Sequence, residues 1–492
     1  MSSRTRALGI FAAAIAMVSI MPQRTDAQQA TTISDPLPYS RGFLVTGDYT
    51  IAGVDFTSQA NPIVNGVSTG TLTVSGVPDD ADIVAAYLYW EEIFTASPGM
   101  IPSAAVRFRG SAISPTAIKA SSFQLSSNPA PCWGAAGTSG ATVADFRADV
   151  LYLLPKRLDS NAQWTGKYYA NGAHDITLPE VNGNKAVQAA GATLVIVYRT
   201  FSTPLKKVVI YDGAVPQAEG ATLTQRLRAF YKSVASNSGK LTYIAGTGGN
   251  NQTEQVLFNG KIVSTTDPFP QTSPSSDRSW GFPTYTGLSM SGSGGAPNDP
   301  FGETVTTSVT ASASPAACRN IAAVIFSTAV ADVDGDGLPD GIEDASKGLS
   351  DPPTVASPNG TPLPNLNKMG ASSSHQDLFI EVNAMTAAPM TMYGAGAAAV
   401  TDSVGHNHMP TPAVLKMVGD VYAAHGIATH FDVGDLTAYQ SLGPAYTCNT
   451  SLHPECDASA YLVPSAYARG GEQILEKACN AAKTNVNCEF PA

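Results

Sequence analysis

The sequence predicts a mainly β protein: an N-terminal β-sandwich, a linker built around a candidate calcium loop, and a small α/β unit of the βαβ kind. Three observations carry this. From Thr31 to Val330 the chain is a succession of short β-type runs separated by Gly, Pro, Asn and Ser turns, the rhythm of a sandwich rather than of a helical domain. A Pro/Ser/Asn-rich stretch from Ser346 to Ser374 interrupts it. Beyond that stretch the order becomes strand, helix, strand, and the pattern stops soon after, so the C-terminal domain reads as incomplete. At 492 residues the chain exceeds one ordinary domain, and 44 Gly and 34 Pro beside only 14% charged residues favour strands and loops over long charged helices.

In chain order, Arg4 and Arg6 precede the apolar run Leu8 to Met21 and a small-residue site ending at Ala27. This is the pattern of a secretory signal peptide over residues 1–27. The run falls short of the ~20 residues that span a bilayer comfortably. A secreted or cell-surface protein with no transmembrane segment after cleavage is therefore expected.

Residues 31–330 then supply the sandwich. Thr71 to Val74 alternates, while Ile83 to Trp90, Thr193 to Tyr198, Val208 to Tyr211 and Ala323 to Phe326 are nearly continuous apolar runs, suited to strands covered on both faces. Asn259-Gly260 between two β-forming runs predicts a tight hairpin. Leu223, Leu227, Phe230 and Val234 recur at helical spacing and predict one helix against the sheet.

Residues 331–374 contain the most specific signal, Asp332-Val-Asp-Gly-Asp-Gly-Leu-Pro-Asp-Gly-Ile-Glu343. A hard cation needs six to eight oxygens from a short piece of backbone. This run offers Asp332, Asp334 and Asp336 at positions 1, 3 and 5 of a twelve-residue loop, the Leu338 carbonyl at 7, Asp340 at the often water-mediated position 9 and Glu343 as the closing bidentate ligand. Gly337 falls where that loop turns sharply. Asp and Gly are also ordinary turn residues, but alternating carboxylates without a cation repel one another. Ca2+ is the expected ligand, bound as a structural clip at the weak extracellular end of the affinity range, because Pro339 and the Ser/Pro-rich sequence that follows do not supply the paired amphipathic helices of a sensor.

Residues 375–492 form the last unit. Asp377 to Val382 reads as a strand. Thr411-Pro412 opens a helix as N-cap and first helical residue, with Val414, Leu415, Val418, Val421 and Tyr422 expected on one face. Gly426 closes the helix, and Ile427 to Val433 supplies the second strand.

Charge and cysteine usage bound the partners. Removing residues 1–27 takes away three Arg and one Asp and moves the formal charge from −11 to −13, which argues against nucleic acid or an anionic membrane as the main partner. An extracellular protein or glycan fits better. Six cysteines in an exported chain point to disulfides. Cys448 with Cys456 and Cys479 with Cys488 are close enough to staple local loops, leaving Cys132 and Cys318, as one choice among the fifteen pairings that six cysteines allow.

Catalytic motifs are scarce. H-E-x-x-H and the Walker loop do not occur. Five of the seven histidines fall between residues 375 and 430, so a metal held by His406 and His408 with His430 or Asp432 competes with a polar loop, Asp402 to His408, ahead of a helix with His425 in its last turn. Tyr87, Tyr89 and Trp90 could line a glycan-binding surface or serve a packing role, with alternation placing at least half of them in the core.

Three regions carry a resemblance. Gly76 to Trp90, Ala192 to Arg199 and Val209 to Gly213 look like the β-domain of bacterial surface proteins. The Asp332 to Glu343 loop is similar to thrombospondin type 3 repeats, which implies structural calcium on an extracellular protein; one repeat is present where thrombospondins have many. Met369 to Val382, with His406 to Pro410 and Gly426 to Val433, looks like the entry subdomain of secreted zincin-type metalloproteases. That resemblance implies a zinc helix further along than Cys488 to Ala492, so no catalytic residue is carried over. The expected function is a secreted, calcium-binding modular protein with a binding or adhesive role and no complete catalytic motif, the alternative being the N-terminal part of a zinc endopeptidase.

Overall fold

In a computed structural model, residues 32–475 are described except 57–65, 95–105, 114–121, 130–141, 181–186, 202, 218–219, 232–237, 249–254, 266–268, 270–278, 292–298, 312–317 and 394–399. The expected signal peptide, Cys132, Cys479 and Cys488 lie outside the described residues. The chain is mainly β, as its turn-punctuated sequence predicts.

The organising element is the 17-residue strand Tyr39–Asp55, which changes partners midway. Its first half, to Thr46, pairs with Leu205–Gln217, and its second half, from Gly47, pairs with Val187–Arg199. The switch is made at Gly47, where a Cβ would stand 1.9 Å from the Tyr198 carbonyl oxygen. Two sheets therefore share one strand. The first runs Ser279–Gly281, Ser238–Gly248, Cys318–Ala329, Leu205–Gln217 and the first half of Tyr39–Asp55; the second runs from its second half through Val187–Arg199, Asp82–Phe94, Thr142–Asp149 and Ser122–Pro129.

The two sheets face each other across a core that includes Tyr49, Tyr87, Tyr89, Val195, Val208 and Ile325. Each is also covered on its outer face. A four-stranded sheet containing Val67–Val74 and Gly172–Pro179 packs on the second, with Leu72, Ile176 and Leu178 against Leu88, Trp90 and Leu194. A five-stranded sheet containing Thr222–Leu227, Val305–Thr310 and Gln255–Phe258 packs on the first, with Leu223, Val256 and Val309 against Val209, Tyr243 and Phe326. The result is four layers and three cores, and it explains the continuous apolar runs: Leu194 and Ile196 face one core, Val195 and Val197 the next. Each such side chain contributes roughly 1.5–3 kcal/mol when fully buried.

The helix expected from Leu223 to Val234 does not form over the described residues 223–231, Val234 lying outside them: Thr222–Leu227 is a strand between Thr32–Ser34 and Val305–Thr310. A spacing of four residues suits either a helix or one face of a strand. Here Leu223, Gln225 and Leu227 are buried in alternation, and the β-branched Thr222 and Thr224 favour the extended form. The Asn259-Gly260 hairpin forms as expected, between Gln255–Phe258 and Lys261–Ser264.

Polar ties cross the central core. Tyr89 Oη donates to Asp212 Oδ2 at 2.9 Å, Arg147 ion-pairs with the same carboxylate, and Asn320 Nδ2 donates to Glu91 Oε2 at 2.9 Å and to Asp145 Oδ2 at 2.6 Å. Glu91 and Asp145 are fully buried together, and burial drives both toward the protonated form, Asp145 further because of the neighbouring Glu91 charge. Tyr87, Tyr89 and Trp90 are all buried, so packing, not glycan binding, is their role.

After the linker, Gln376–Glu381 and Ile427–Asp432 pair in parallel, with the helix Pro412–Ala423 between them in sequence. The helix turns Leu415 and Gly419 inward, whereas Val414, Met417 and Val421 are exposed. Val414 and Val421 thus leave the expected apolar face, because a two-stranded sheet covers only a narrow stripe of the helix. Cys448 and Cys456 form the local disulfide expected of them. No helix among the described residues is long and apolar enough to cross a membrane.

Burial also acts on Glu92, on the opposite face of its strand from Glu91. It raises this carboxyl from 4.5 to about 7, offset in part by the Trp90 Nε1 hydrogen bond of 3.1 Å. The fold accepts the protonated form, so the contribution is complete below pH 4.5 and is lost as the pH rises to about 7. Glu92→Gln keeps an acceptor for Trp90 and carries no titrating proton. In denaturant series at several pH values its stability should fall less steeply across this window than the parent's, by up to ~1.4 kcal/mol per pH unit; parallel profiles would show that Glu92 ionises as readily folded as unfolded.

Candidate functional site

The acidic run folds as a compact loop held by its own carboxylates. Asp332 accepts from the amides of Gly335 (2.9 Å) and Gly337 (3.2 Å), Asp334 Oδ1 from Asp336 N (3.3 Å), and Asp336 Oδ1 from Leu338 N (2.7 Å). Gly337, with φ of 93°, makes the sharp turn expected of it. A single helical turn, Asp340–Glu343, follows, fixed by Asp340 N to Ala331 O (3.0 Å) and Val333 N to Asp340 Oδ1 (2.9 Å).

This geometry brings Asp334, Asp336 and Glu343 together and adds Asp377, with one carboxylate oxygen of each within 4.8 Å of the others. Asp332 and Asp340 stand outside that group and brace the loop through the amide bonds just described. The Leu338 carbonyl, a backbone atom, is likewise not among the four carboxylates.

Asp377 is the member that the sequence reading missed. It is the second residue of the strand Gln376–Glu381, and its register against the loop is set by Asp377 N to Asp336 Oδ2 (2.7 Å) and Gln376 Nε2 to the Asp334 carbonyl (2.9 Å). Its own carboxylate is held by His430 Nε2 at 2.5 Å, His375 Nδ1 at 3.2 Å and the Ser372 amide at 3.0 Å. Phe379 stacks on the His430 ring. The available signal was a carboxylate at the mouth of a predicted strand just after the linker, but spacing alone does not tie it to a loop 41 residues earlier.

The group could hold a cation. Glu343 is 0% exposed, and neither of its carboxyl oxygens has a hydrogen-bond partner among the described residues; Asp334 Oδ2 is likewise buried without one. Burial, then the charges of Asp336, Asp334, Asp377 and Asp340, push Glu343 up to about 8. Burial also raises Asp334 and Asp332, each further opposed by the Asp336 charge. A buried acceptor with no donor is costly, and a divalent cation reverses that balance by supplying the missing charge. Four carboxylates and no nitrogen or sulfur ligand suit a hard cation.

The other candidates separate. His430 is committed to Asp377, and Asp432 accepts from the amides of Gly434 (3.1 Å) and Arg469 (2.6 Å). Neither joins His406 and His408, which sit together at the short strand His406–Asn407 and the residue after it. A G-x-S-x-G pattern, Gly66 to Gly70, lies at the start of the strand Val67–Val74 with Ser68 buried in the sheet, not at the strand-to-helix elbow that exposes a nucleophile.

No family model matches the chain, and no curated protein matches it. A chain of the Sputnik virophage, solved at 3.5 Å by cryo-EM, aligns with 66% of this chain and 91% of its own length, at 9% identity and a TM-score of 0.14, a likeness that carries no argument.

Glu343 yields a direct prediction in chelator. Its folded pKa is raised from 4.5 to about 8, so its contribution to stability is present below pH 4.5 and is lost as the pH climbs to about 8. Glu343→Gln, freed of this charge, should melt higher than the parent at pH 8 without divalent cation and lose that advantage near pH 4.5. A variant that melts lower than the parent at both pH values would contradict the crowding of charge.

Proposed function

We propose that this is a secreted modular protein stabilised by one Ca2+, which fastens the sandwich to the α/β unit, and that its role is to bind or adhere to an extracellular protein or glycan. The observation that carries the cation is Glu343, fully buried with both oxygens unpartnered against three further carboxylates. The loop spacing and its likeness to thrombospondin type 3 repeats favour calcium among hard cations. The ligands come from both sides of the linker. Glu343 sits on a turn whose Ile342 packs on the sandwich core, and Asp377 lies in the first strand of the α/β unit. Binding and adhesion fit an acidic exported chain without a complete catalytic motif.

Calcium should therefore act on the segment between the two halves. At 10 mM Ca2+ and a Kd of about 10⁻⁴ M, linkage supplies ~2.7 kcal/mol to the folded form. Trypsin cleavage after the exposed Lys347 and Lys368 should slow on adding Ca2+, and much less with equal Mg2+. Glu343→Gln, Asp377→Asn and the Asp334→Ala/Asp336→Ala double variant should each abolish the effect. Cleavage that ignores Ca2+, or that keeps its calcium dependence in these variants, removes the proposal.

A further inference from the structure

A second constellation stands apart from the carboxylate group, on the strand His406–Asn407 and the turn before it. Asp402 closes that turn: its Oδ1 accepts from the amides of Val404 (3.1 Å) and Gly405 (2.9 Å), leaving Oδ2 to accept from His406 Nδ1 at 2.6 Å. His408 follows two residues later, on the same face of an extended segment, and its Nε2 lies 3.1 Å from Nε2 of His406. The backbone between them is fixed on both sides. Thr386 Oγ1 donates to the His406 carbonyl (3.2 Å), His408 N donates to the Met385 carbonyl (3.0 Å), and Tyr446 Oη reaches Asn407 Oδ1 (2.6 Å).

The chemistry of this arrangement is specific. Asp402 Oδ2, 2.6 Å from His406 Nδ1, accepts the ring proton there, so the lone pair of the ring falls on Nε2. A carboxylate on the far nitrogen of a ligating imidazole fixes the ring and raises its basicity, as at zinc centres. Two nitrogens bound to one tetrahedral ion at ~2.0–2.1 Å stand about 3.3 Å apart, close to the separation here.

We propose that His406 and His408 bind a borderline divalent transition-metal ion through their Nε2 atoms, with Asp402 as the positioning residue. The ligand class differs from that of the carboxylate group: imidazole suits Zn2+, Cu2+ or Ni2+, whereas carboxylates suit Ca2+. This site does not depend on the calcium reading.

The test is calorimetric titration of the untagged full chain with Zn2+, in saturating Ca2+ and in the Glu343→Gln background so that the carboxylate group does not contribute. One zinc per chain is expected. It should be lost in His406→Ala and in His408→Ala, and weakened about 10- to 100-fold in Asp402→Asn, which keeps both ligands. Co2+ should give a visible spectrum of nitrogen ligation that the double variant His406→Ala/His408→Ala lacks, with circular dichroism establishing that each variant is folded. Zinc binding equal in the parent and the double variant, or none in either, would mean that the two rings form a hydrogen-bonded pair only and would overturn the proposal.

Discussion

The strand Tyr39–Asp55 is the constraint from which the other layers follow. By leaving one sheet and entering another at Gly47 it forces the two sheets face to face, and each then needs cover on its outer side. The price of covering both faces is that polar groups on the inner strands are cut off from water and depend on partners inside the protein. Asp212 answers Tyr89 and Arg147, and Asn320 answers Glu91 and Asp145. These links run between strands of opposite sheets, so they also set the registry of one sheet over the other, which apolar contacts alone fix loosely.

The carboxylate group sits where this layered body ends. Val330 N bonds to the Leu205 carbonyl at the close of the last sandwich strand, and the acidic loop starts two residues later. Tyr231 Oη donates to the Ser350 carbonyl at 2.7 Å, and Ser373 Oγ donates to Asp344 Oδ2 at 2.8 Å, so the segment is tied to its surroundings at several points besides the carboxylates. The site is thus assembled by tertiary contacts on a segment hydrogen-bonded to the sandwich.

How much of this was legible varied with the range of the interaction. Runs such as Thr193 to Tyr198 announced themselves because burial on both faces leaves no polar alternation to dilute the signal. Asn259-Gly260 was legible because a two-residue hairpin is decided locally. Leu223 and Leu227 misled because their separation satisfies two periodicities, and what settled the matter was a neighbouring strand, Val305–Thr310, some eighty residues away. The loop residues Asp334, Asp336 and Glu343 could be named from spacing, but Asp377 could not. His406 and His408 were named as a pair, yet Asp402 was read as part of a polar loop, since only the fold of the turn aims its carboxylate at the ring.

The separation of Asp377 from the loop it completes has a consequence for how the chain can vary. Loop-closure entropy grows only with the logarithm of length, about 0.6 kcal/mol for each doubling. The segment between Glu343 and Asp377 includes an exposed turn, with Val355 85% exposed. Insertions or deletions there change the closure term slightly and leave all four carboxylates where they are. The segment can therefore drift in length between related chains while the carboxylates at its two ends are held, a pattern in which sequence identity is concentrated at points far apart in the chain.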